Sequence, residues 1–240
     1  HNALAAEQVD SVAMAIYQMS QGNALIIGDQ TGVGKGRQMA ALIRWATKQG
    51  KKPIFITQKA DLFSDIYRDL VDVGSGDLVP FIFNSSSSSS NKGEMVDADG
   101  KVVYKSLSDA KLKKVFESKT LPEGYDYAVL TYSQVNTGDS LSRSEGKASK
   151  RSDNKANFLR SIAKDNYIFL DESHTASGDG NIGAFIKSVL PSAKGVTFAS
   201  ATFAKRPDSM PIYAICTSIN KANIDQSELI DIVQKGGVTL

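Results

Sequence analysis

Three short stretches of the chain carry residue types that can bind a nucleotide and activate water. A glycine-rich segment, GDQTGVGKGR, spans residues 28–37, the acids Asp171 and Glu172 follow the apolar run YIFL, and SAT occupies residues 200–202. Glycines let successive backbone N–H groups point at phosphate oxygens, and a lysine beside them reaches the outer phosphates. In nucleoside-triphosphate hydrolysis, one acid holds Mg²⁺ and the next can polarise the attacking water.

The glycine-rich segment departs from the strict phosphate-loop pattern at two positions. The pattern G-x-x-x-x-G-K-[ST] requires glycine at residue 29 and a hydroxyl at residue 36, where the chain has Asp29 and Gly36. That hydroxyl normally binds Mg²⁺, but water can replace it because Mg²⁺ usually keeps several waters. We therefore expect a nucleoside triphosphate to bind with Mg²⁺, with Asp171 as the metal ligand and Thr31 as a further candidate. The alternative is a glycine-rich turn that binds nothing.

The other two stretches also have simpler explanations. Adjacent acids are costly to bury unless a cation lies nearby, but a strand end that faces water carries them without cost. A lone histidine such as His174 is more often structural than functional, and Ser200 and Thr202 are of a type common as strand-end caps. The three stretches together, in this order, are a stronger signal than any one of them.

The segments around these stretches predict an α/β protein with a mostly parallel sheet. Six apolar runs are predicted as strands: NALIIGD, KPIFITQ, LVPFIFN, YDYAVLTYSQV, NYIFLDESH and GVTFASAT. Segments of helical periodicity alternate with them, and this alternation indicates a parallel sheet with helices on both faces. Function in such sheets collects at the carboxyl ends of the strands, where all three stretches fall.

Two polar inserts interrupt the alternation. The first, about residues 84–120, contains a run of serines and a small exposed hairpin that turns at Asp99–Gly100. The second, about residues 136–156, is predicted as a loop that precedes a helix at ANFLRSIA. Basic residues outnumber acids between 139 and 160, so this loop either contacts nucleic-acid phosphates or is simply solvated.

Composition limits the class of protein. The net charge of the 240 residues is +2, so any contact with nucleic acid must come from a local arrangement and not from overall charge. The single cysteine, Cys216, excludes an internal disulfide and a zinc site built on cysteines. No apolar run reaches the roughly 18 residues of a membrane helix. We expect a protein without a membrane anchor, cytoplasmic in a bacterial or phage-infected cell, or nuclear if eukaryotic.

The set GDQTGVGKGR, DESH and SAT resembles motifs I, II and III of the first motor domain of superfamily-two helicases and translocases. The form TGVGKGR, with glycine after the lysine, resembles the strawberry-notch-type helicases and their phage and bacterial relatives, as does FASATFAKRPDSMPIYA. The resemblance covers roughly residues 4–214. It implies a P-loop NTPase fold of the RecA-like type, a three-layer sandwich over residues 1–214. Residues 215–240 are then an extension or the start of a linker.

The resemblance also implies roles for individual residues. The nucleotide-binding positions are Gln8, which would read adenine, and Thr31, Gly32, Val33, Gly34, Lys35, Gly36 and Arg37. The catalytic residues are Lys35, Asp171 as the Mg²⁺ ligand, and Glu172, which would orient or deprotonate the water. The residues that couple hydrolysis to domain movement are His174, Ser200 and Thr202.

Two further segments, ITQKADL and LTYSQV, resemble motifs Ia and Ib, which touch the nucleic-acid backbone in relatives. The candidates for this contact, with DNA expected rather than RNA, are Gln58, Lys59, Thr131, Tyr132 and Ser133. Simpler roles compete with some of these assignments. Gln58 and Lys59 also suit the lead-in to a helix, and Tyr132 also suits the core. Likewise, Gln8 suits an exposed polar position on its helix.

A motor of this class hydrolyses ATP between two motor domains, and the second supplies arginines that are worth orders of magnitude in rate. Too few residues follow Thr202 for such a domain, and Arg206 follows motif III too closely to serve as the arginine. We expect a monomer that binds ATP, hydrolyses it poorly and unwinds nothing alone. The alternative is a stand-alone nucleotide-binding regulatory module that acts through a protein partner. A degenerate domain is a third interpretation, against which Lys35, Asp171 and Glu172 argue.

Overall fold

The structure is a computed structural model. It describes residues 3–29, 32, 34–87, 92–135, 150–178, 180–202 and 210–217, and the positions 221, 224–225, 227–228 and 231–232. For residues 150–153 it describes the backbone alone. None of the helices in this part of the chain is long and apolar enough to cross a membrane.

Helices and strands alternate along the chain. In order they are α1 (Ala6–Ser20), β1 (Leu25–Ile27), α2 (Lys35–Lys48), β2 (Ile54–Thr57), α3 (Leu62–Asp72), β3 (Pro80–Ile82), β4 (Glu94–Val96), β5 (Val102–Lys105), α4 (Asp109–Phe116), β6 (Tyr127–Thr131), α5 (Lys150–Ala163), β7 (Tyr167–Leu170), α6 (Asn181–Val189), β8 (Gly195–Ala199) and α7 (Met210–Ala214). Short 3₁₀ turns follow β6, β7 and α6, at Tyr132–Val135, Ser173–Ala176 and Leu190–Ser192.

The central sheet contains six parallel strands in the order β1-β8-β7-β2-β6-β3. Every residue of β2, β6, β7 and β8 is buried. Parallel strands that are covered on both faces read as continuous apolar runs, which is why the sequence marks them so clearly. The predicted α/β fold with a parallel sheet is confirmed.

Helices cover both faces of the sheet. Alternate residues of each strand point to opposite faces: Phe55 packs with the core under α1, α2 and α3, whereas Ile54 and Ile56 pack with the core under α4, α5 and α6. The second core includes an aromatic cluster whose ring centroids lie between 5.2 and 6.3 Å apart: Phe81, Phe83, Phe116 and Phe158. The result is the predicted three-layer sandwich.

Two predictions about the inserts need correction. The hairpin β4–β5 is not simply exposed, because Met95 is completely buried and the Val96 N–H donates to Ser64 Oγ of α3 at 3.0 Å. In the second insert, α5 begins at Lys150 and not at Ala156. The first six residues of α5 are polar, so the helical spacing of apolar residues in the sequence predicted only the second half of this helix.

Candidate functional site

Polar residues meet along the edge of the sheet where the strands end. Lys35 follows β1 at the start of α2, Thr57 ends β2, Thr131 ends β6, Asp171 follows β7, and Ser200 follows β8. The parallel topology places all these ends at one edge, as expected for this class of sheet. The three stretches that the sequence singled out are therefore brought together.

The glycine-rich loop has the backbone curl that a phosphate cradle needs. Gly32 and Gly34 have φ of +94° and +80°, a region that glycine adopts without strain. Helix α2 begins at Lys35 with Gly34 as its N-cap, so the first-turn N–H groups lack helical partners. The Lys35 Nζ donates to the Asp29 carbonyl at 2.7 Å. The predicted binding residues Thr31 and Val33 lie outside the described residues.

The absence of a hydroxyl at residue 36 has a packing explanation. A Cβ at Gly36 would lie 2.2 Å from Oδ2 of Asp69 on α3, so any other residue would displace this carboxylate. The next residue of α2, Arg37, forms an ion pair with Asp72, which lies on α3 as Asp69 does. Burial raises the pKa of Asp69, although Arg37 lowers it. Asp69 on α3 therefore takes the space that the Cβ of a serine or threonine at residue 36 would occupy.

Gln8 lies over the glycine-rich loop. Its Oε1 accepts a hydrogen bond from the Ala5 N–H at 3.0 Å, and its Nε2 would lie 2.2 Å from a Cβ at Gly34. With Leu4 and Arg37, Gln8 lines a cleft of about 650 Å³, a size that suits a small-molecule ligand. Gln8, the residue to which the resemblance assigns adenine recognition, therefore lies beside the glycine-rich loop.

The carboxyl group of Asp171 lies at this edge of the sheet and is held by the end of the neighbouring strand β2. Thr57 Oγ1 donates to its Oδ2 at 2.9 Å, and its own N–H donates to the Ile56 carbonyl at 2.8 Å. Burial raises the pKa of Asp171 to about 6; the Thr57 hydrogen bond opposes the rise, Glu172 adds to it, and the charge of Lys35 lowers it. A buried acid of this kind is stabilised as a carboxylate by a nearby cation.

The donor set fits Mg²⁺. No group of three or more His, Cys, Asp or Glu side chains that could hold a metal occurs in the described part of the chain. A cage made only of protein groups is not what Mg²⁺ requires, because it is usually held by one or two carboxylates, nucleotide phosphates and water. Asp171 supplies such a carboxylate beside the glycine-rich loop.

His174 joins the acidic stretch to the SAT stretch. Its Nδ1 lies 2.9 Å from Ser200 Oγ and 3.2 Å from Glu172 Oε2. Ser200 Oγ also accepts the Thr202 N–H at 3.1 Å. Glu172 itself has φ of +46°, a conformation that is uncommon for a residue other than glycine and that clusters at functional sites. The residues predicted to couple hydrolysis to movement thus contact one another.

The residues predicted to contact nucleic acid divide into two groups. Gln58, Lys59 and Ser133 are exposed at the ends of the neighbouring strands β2 and β6. Thr131 and Tyr132 are only 0% and 1% exposed. The side chains of these two residues are therefore turned into the protein, because the burial of β6 continues into the 3₁₀ turn.

The side chains of Thr131 and Tyr132 form hydrogen bonds with other groups of the protein. Asn84 Nδ2 donates to Thr131 Oγ1 at 3.0 Å, and the Tyr132 hydroxyl donates to the Asp171 carbonyl at 2.8 Å. The basic loop predicted at 139–160 lies outside the described residues as far as residue 149, and the rest belongs to α5.

Sequence reasoning missed Thr57, Gln38 and Tyr213 as parts of the site. Gln38 is buried in the first turns of α2, and its Nε2 donates to Asp29 Oδ2 at 3.0 Å. The buried hydroxyl of Tyr213, on α7, lies 3.0 Å from Ser173 Oγ. The segment FASATFAKRPDSMPIYA does include Tyr213, but a tyrosine in an apolar context gives no signal of its own.

Comparison with known proteins identifies relatives of two kinds. A family model described as P-loop containing NTP hydrolase pore-1 matches residues 1–239. A strawberry notch homolog of Caenorhabditis elegans is 27% identical over an alignment of 200 positions, which covers 77% of this chain and 9% of that protein. The chain therefore spans under a tenth of that relative's length. The resemblance to strawberry-notch-type proteins is confirmed.

Solved structures of motor proteins share the fold. The SWI2/SNF2 ATPase core of Sulfolobus solfataricus in complex with dsDNA has a TM-score of 0.57 at 16% identity, over 96% of this chain and 40% of that one. The UvsW helicase from bacteriophage T4 has a TM-score of 0.54 at 13% identity, over 89% and 58% of the two chains. At these identities the likeness shows the fold alone, an α/β fold with a parallel sheet covered by helices on both faces.

Proposed function

The chain belongs to the P-loop containing NTP hydrolase pore-1 family, and from this membership we propose that it is the ATP-binding motor domain of a DNA helicase or translocase. Such a motor couples ATP hydrolysis to movement along nucleic acid. The observation that carries the proposal is the single polar edge on which the glycine-rich loop, Asp171 and the His174–Ser200 contact converge.

Each part of this edge has a role in the proposed reaction. The loop N–H groups around Gly32 and Gly34 bind the triphosphate, and Lys35 exchanges the Asp29 carbonyl for the outer phosphate oxygens. Asp171 holds Mg²⁺, which when bound offsets the negative charge that develops on the phosphates. Glu172 orients or deprotonates the attacking water.

The contact of His174 with both Glu172 and Ser200 supports a role in coupling. A change in the position of Glu172 on hydrolysis would shift the His174 imidazole. The shift of the imidazole would in turn move Ser200 and Thr202 through their hydrogen bonds. These two residues follow β8, the strand next to β7. Movement of the SAT stretch against a second motor domain is the output that we propose.

DNA is the proposed track. The exposed residues Gln58, Lys59 and Ser133 lie at the ends of adjacent strands and offer polar groups to a phosphate backbone. One solved structure with this fold is a complex with dsDNA, which supports DNA as the substrate class.

The chain spans 40% and 58% of the two motor chains that it resembles. We propose that alone it binds ATP but hydrolyses it slowly, until a second domain supplies a catalytic arginine.

A titration with a fluorescent ATP analogue, with and without Mg²⁺, tests the nucleotide site. Lys35→Ala should weaken Mg²⁺-dependent binding by tenfold or more, because a charge-assisted contact to phosphate is worth roughly 1.5–3 kcal/mol. Lys48→Ala is the matched control, since Lys48 is exposed at the other end of the same helix. Equal binding by the two variants would overturn the proposed site.

A further inference from the structure

Two buried hydroxyl groups, one at the end of β2 and one directly after β6, form hydrogen bonds with Asp171. Thr57, the last residue of β2, donates to the side-chain Oδ2 at 2.9 Å. Tyr132, directly after β6, donates to the main-chain carbonyl at 2.8 Å. Their exposed fractions are 0% and 1%, so water does not compete for either bond. The position of Asp171 is therefore determined from both its carboxylate and its backbone.

Each hydroxyl lies one residue away from the exposed surface. Thr57 precedes Gln58, and Tyr132 precedes Ser133, and both following residues are exposed. Neighbouring Cα atoms are about 3.8 Å apart and linked by a planar peptide. A ligand that displaces the backbone at Gln58 or Ser133 therefore also displaces a group that contacts Asp171.

Hydrogen bonds at the end of β6 make the second link stiff. Ser133 Oγ lies 2.9 Å from Thr131 Oγ1, which is itself bonded to the buried side chain of Asn84 at the end of β3. The Lys155 Nζ donates to Gln134 Oε1 at 2.6 Å. The segment is held on both sides of Tyr132, so a displacement is transmitted to the tyrosine and not absorbed by a slack loop.

We propose that Thr57 and Tyr132 are positioning residues that couple nucleic acid at the Gln58 and Ser133 surface to the metal-binding carboxylate of Asp171. The inference rests on the proposed function, which assigns Mg²⁺ to Asp171 and DNA to that surface. Neither residue touches a ligand directly. They act through the two hydrogen bonds to Asp171.

The coupling is measurable as a ratio of affinities. If DNA changes the affinity for Mg²⁺–nucleotide by some factor, nucleotide changes the affinity for DNA by the same factor, and typical factors are roughly 5 to 150. Removal of one hydrogen bond has an effect of about two- to tenfold. The ratio in the wild-type chain should be at least about fivefold, and removal of either hydroxyl should lower it by about two- to tenfold.

The test uses the full 240-residue chain, a fluorescent ATP analogue with Mg²⁺, and a short double-stranded DNA oligonucleotide. Thr57→Val and Tyr132→Phe each remove one hydroxyl and keep the shape of the side chain. The matched controls are Thr197→Val and Tyr127→Phe. Thr197 is 0% exposed on β8 and contacts Met19 Sδ. Tyr127 is 0% exposed at the other end of β6, and its hydroxyl has no hydrogen-bond partner among the described residues.

The possible outcomes distinguish a failure of the proposed coupling from a failure of the proposed nucleotide-binding function. A fall of the affinity ratio in Thr57→Val and Tyr132→Phe, with the ratio kept in both controls, supports the proposal; an effect common to the loss of any buried hydroxyl would appear in all four variants. A wild-type ratio near one, or a ratio that survives in the two variants, overturns this inference and leaves the proposed function standing. Failure of the wild-type chain to bind the nucleotide overturns the proposed function and the inference with it. Because the hydroxyls lie on different strands, either variant decides the matter if the other does not fold.

Discussion

Asp171→Asn should make the nucleotide-free protein more stable while it abolishes the response to Mg²⁺. The carboxyl group is buried, and its pKa is about 6 instead of the ordinary 3.8, chiefly because burial penalises the charged form. Asparagine has nearly the same shape, carries no charge, and can still accept the hydrogen bond of Thr57 through its oxygen. The substitution therefore removes the penalty without opening a cavity.

The magnitude follows from the raised pKa. The difference of about 2 corresponds to about 3 kcal/mol at roughly 1.4 kcal/mol per pKa unit, and this is an upper bound for the gain. Because the folded state binds this proton more tightly than the unfolded state, the penalty is fully present above about pH 6 and disappears below about pH 4. The advantage of Asp171→Asn should shrink over that window as the pH falls.

Urea unfolding with EDTA, followed by the fluorescence of Trp45, measures the effect near pH 8 and near pH 4. Trp45 is the single tryptophan and packs against Tyr167, with ring centroids 4.8 Å apart. The control is Asp165→Asn, because the Lys51 hydrogen bond lowers the pKa of this exposed acid, and its amide should give no gain. A gain in Asp171→Asn that is absent, or equal at both pH values, would refute the reasoning.

Two further predictions concern the glycine positions of the loop. Gly34→Ala should weaken nucleotide binding by tenfold or more in the same fluorescence titration, because the residue has φ of +80° and the new Cβ would lie 2.2 Å from Gln8 Nε2. Gly50→Ala, at φ of +71° with no described atom within 4 Å, is the control for backbone strain alone and should bind as the wild type does. Gly36→Ser should cost about 1 kcal/mol of stability in urea unfolding, because the new Cβ displaces Oδ2 of Asp69 at the end of a side chain. The same substitution should cost much less in an Asp69→Ala background, measured against Asp69→Ala alone, and an equal cost in both backgrounds would contradict the packing explanation.

The sequence predicts the fold and the meeting of the three stretches well for a physical reason. Strands buried on both faces are continuous apolar runs, and parallel connections bring their carboxyl ends to one edge. The glycines at 32 and 34 are informative for the same kind of reason, since a positive φ selects for glycine in a local and visible way. These features depend on short segments, which a single sequence displays.

Contacts between distant elements are not visible in this way. The contact of Asp69 with Gly36 depends on how α3 packs on α2, and no local pattern encodes it. The burial of Tyr132 depends on the turn after β6 folding inward, whereas the motif-like context LTYSQV suggested an exposed contact. Likewise, Thr57 reads as an ordinary strand residue in the sequence, because its partner Asp171 lies directly after a different strand, β7. A sequence indicates which residues can do chemistry, and packing decides which of them face a ligand.

A crystal structure of the chain with Mg²⁺ and a non-hydrolysable ATP analogue tests the central claim most directly. The account predicts phosphates in the glycine-rich loop, Lys35 Nζ moved from the Asp29 carbonyl to within about 3 Å of a phosphate oxygen, and Mg²⁺ beside Asp171. A nucleotide bound elsewhere, or bound with Lys35 still on Asp29 and no metal beside Asp171, would contradict it.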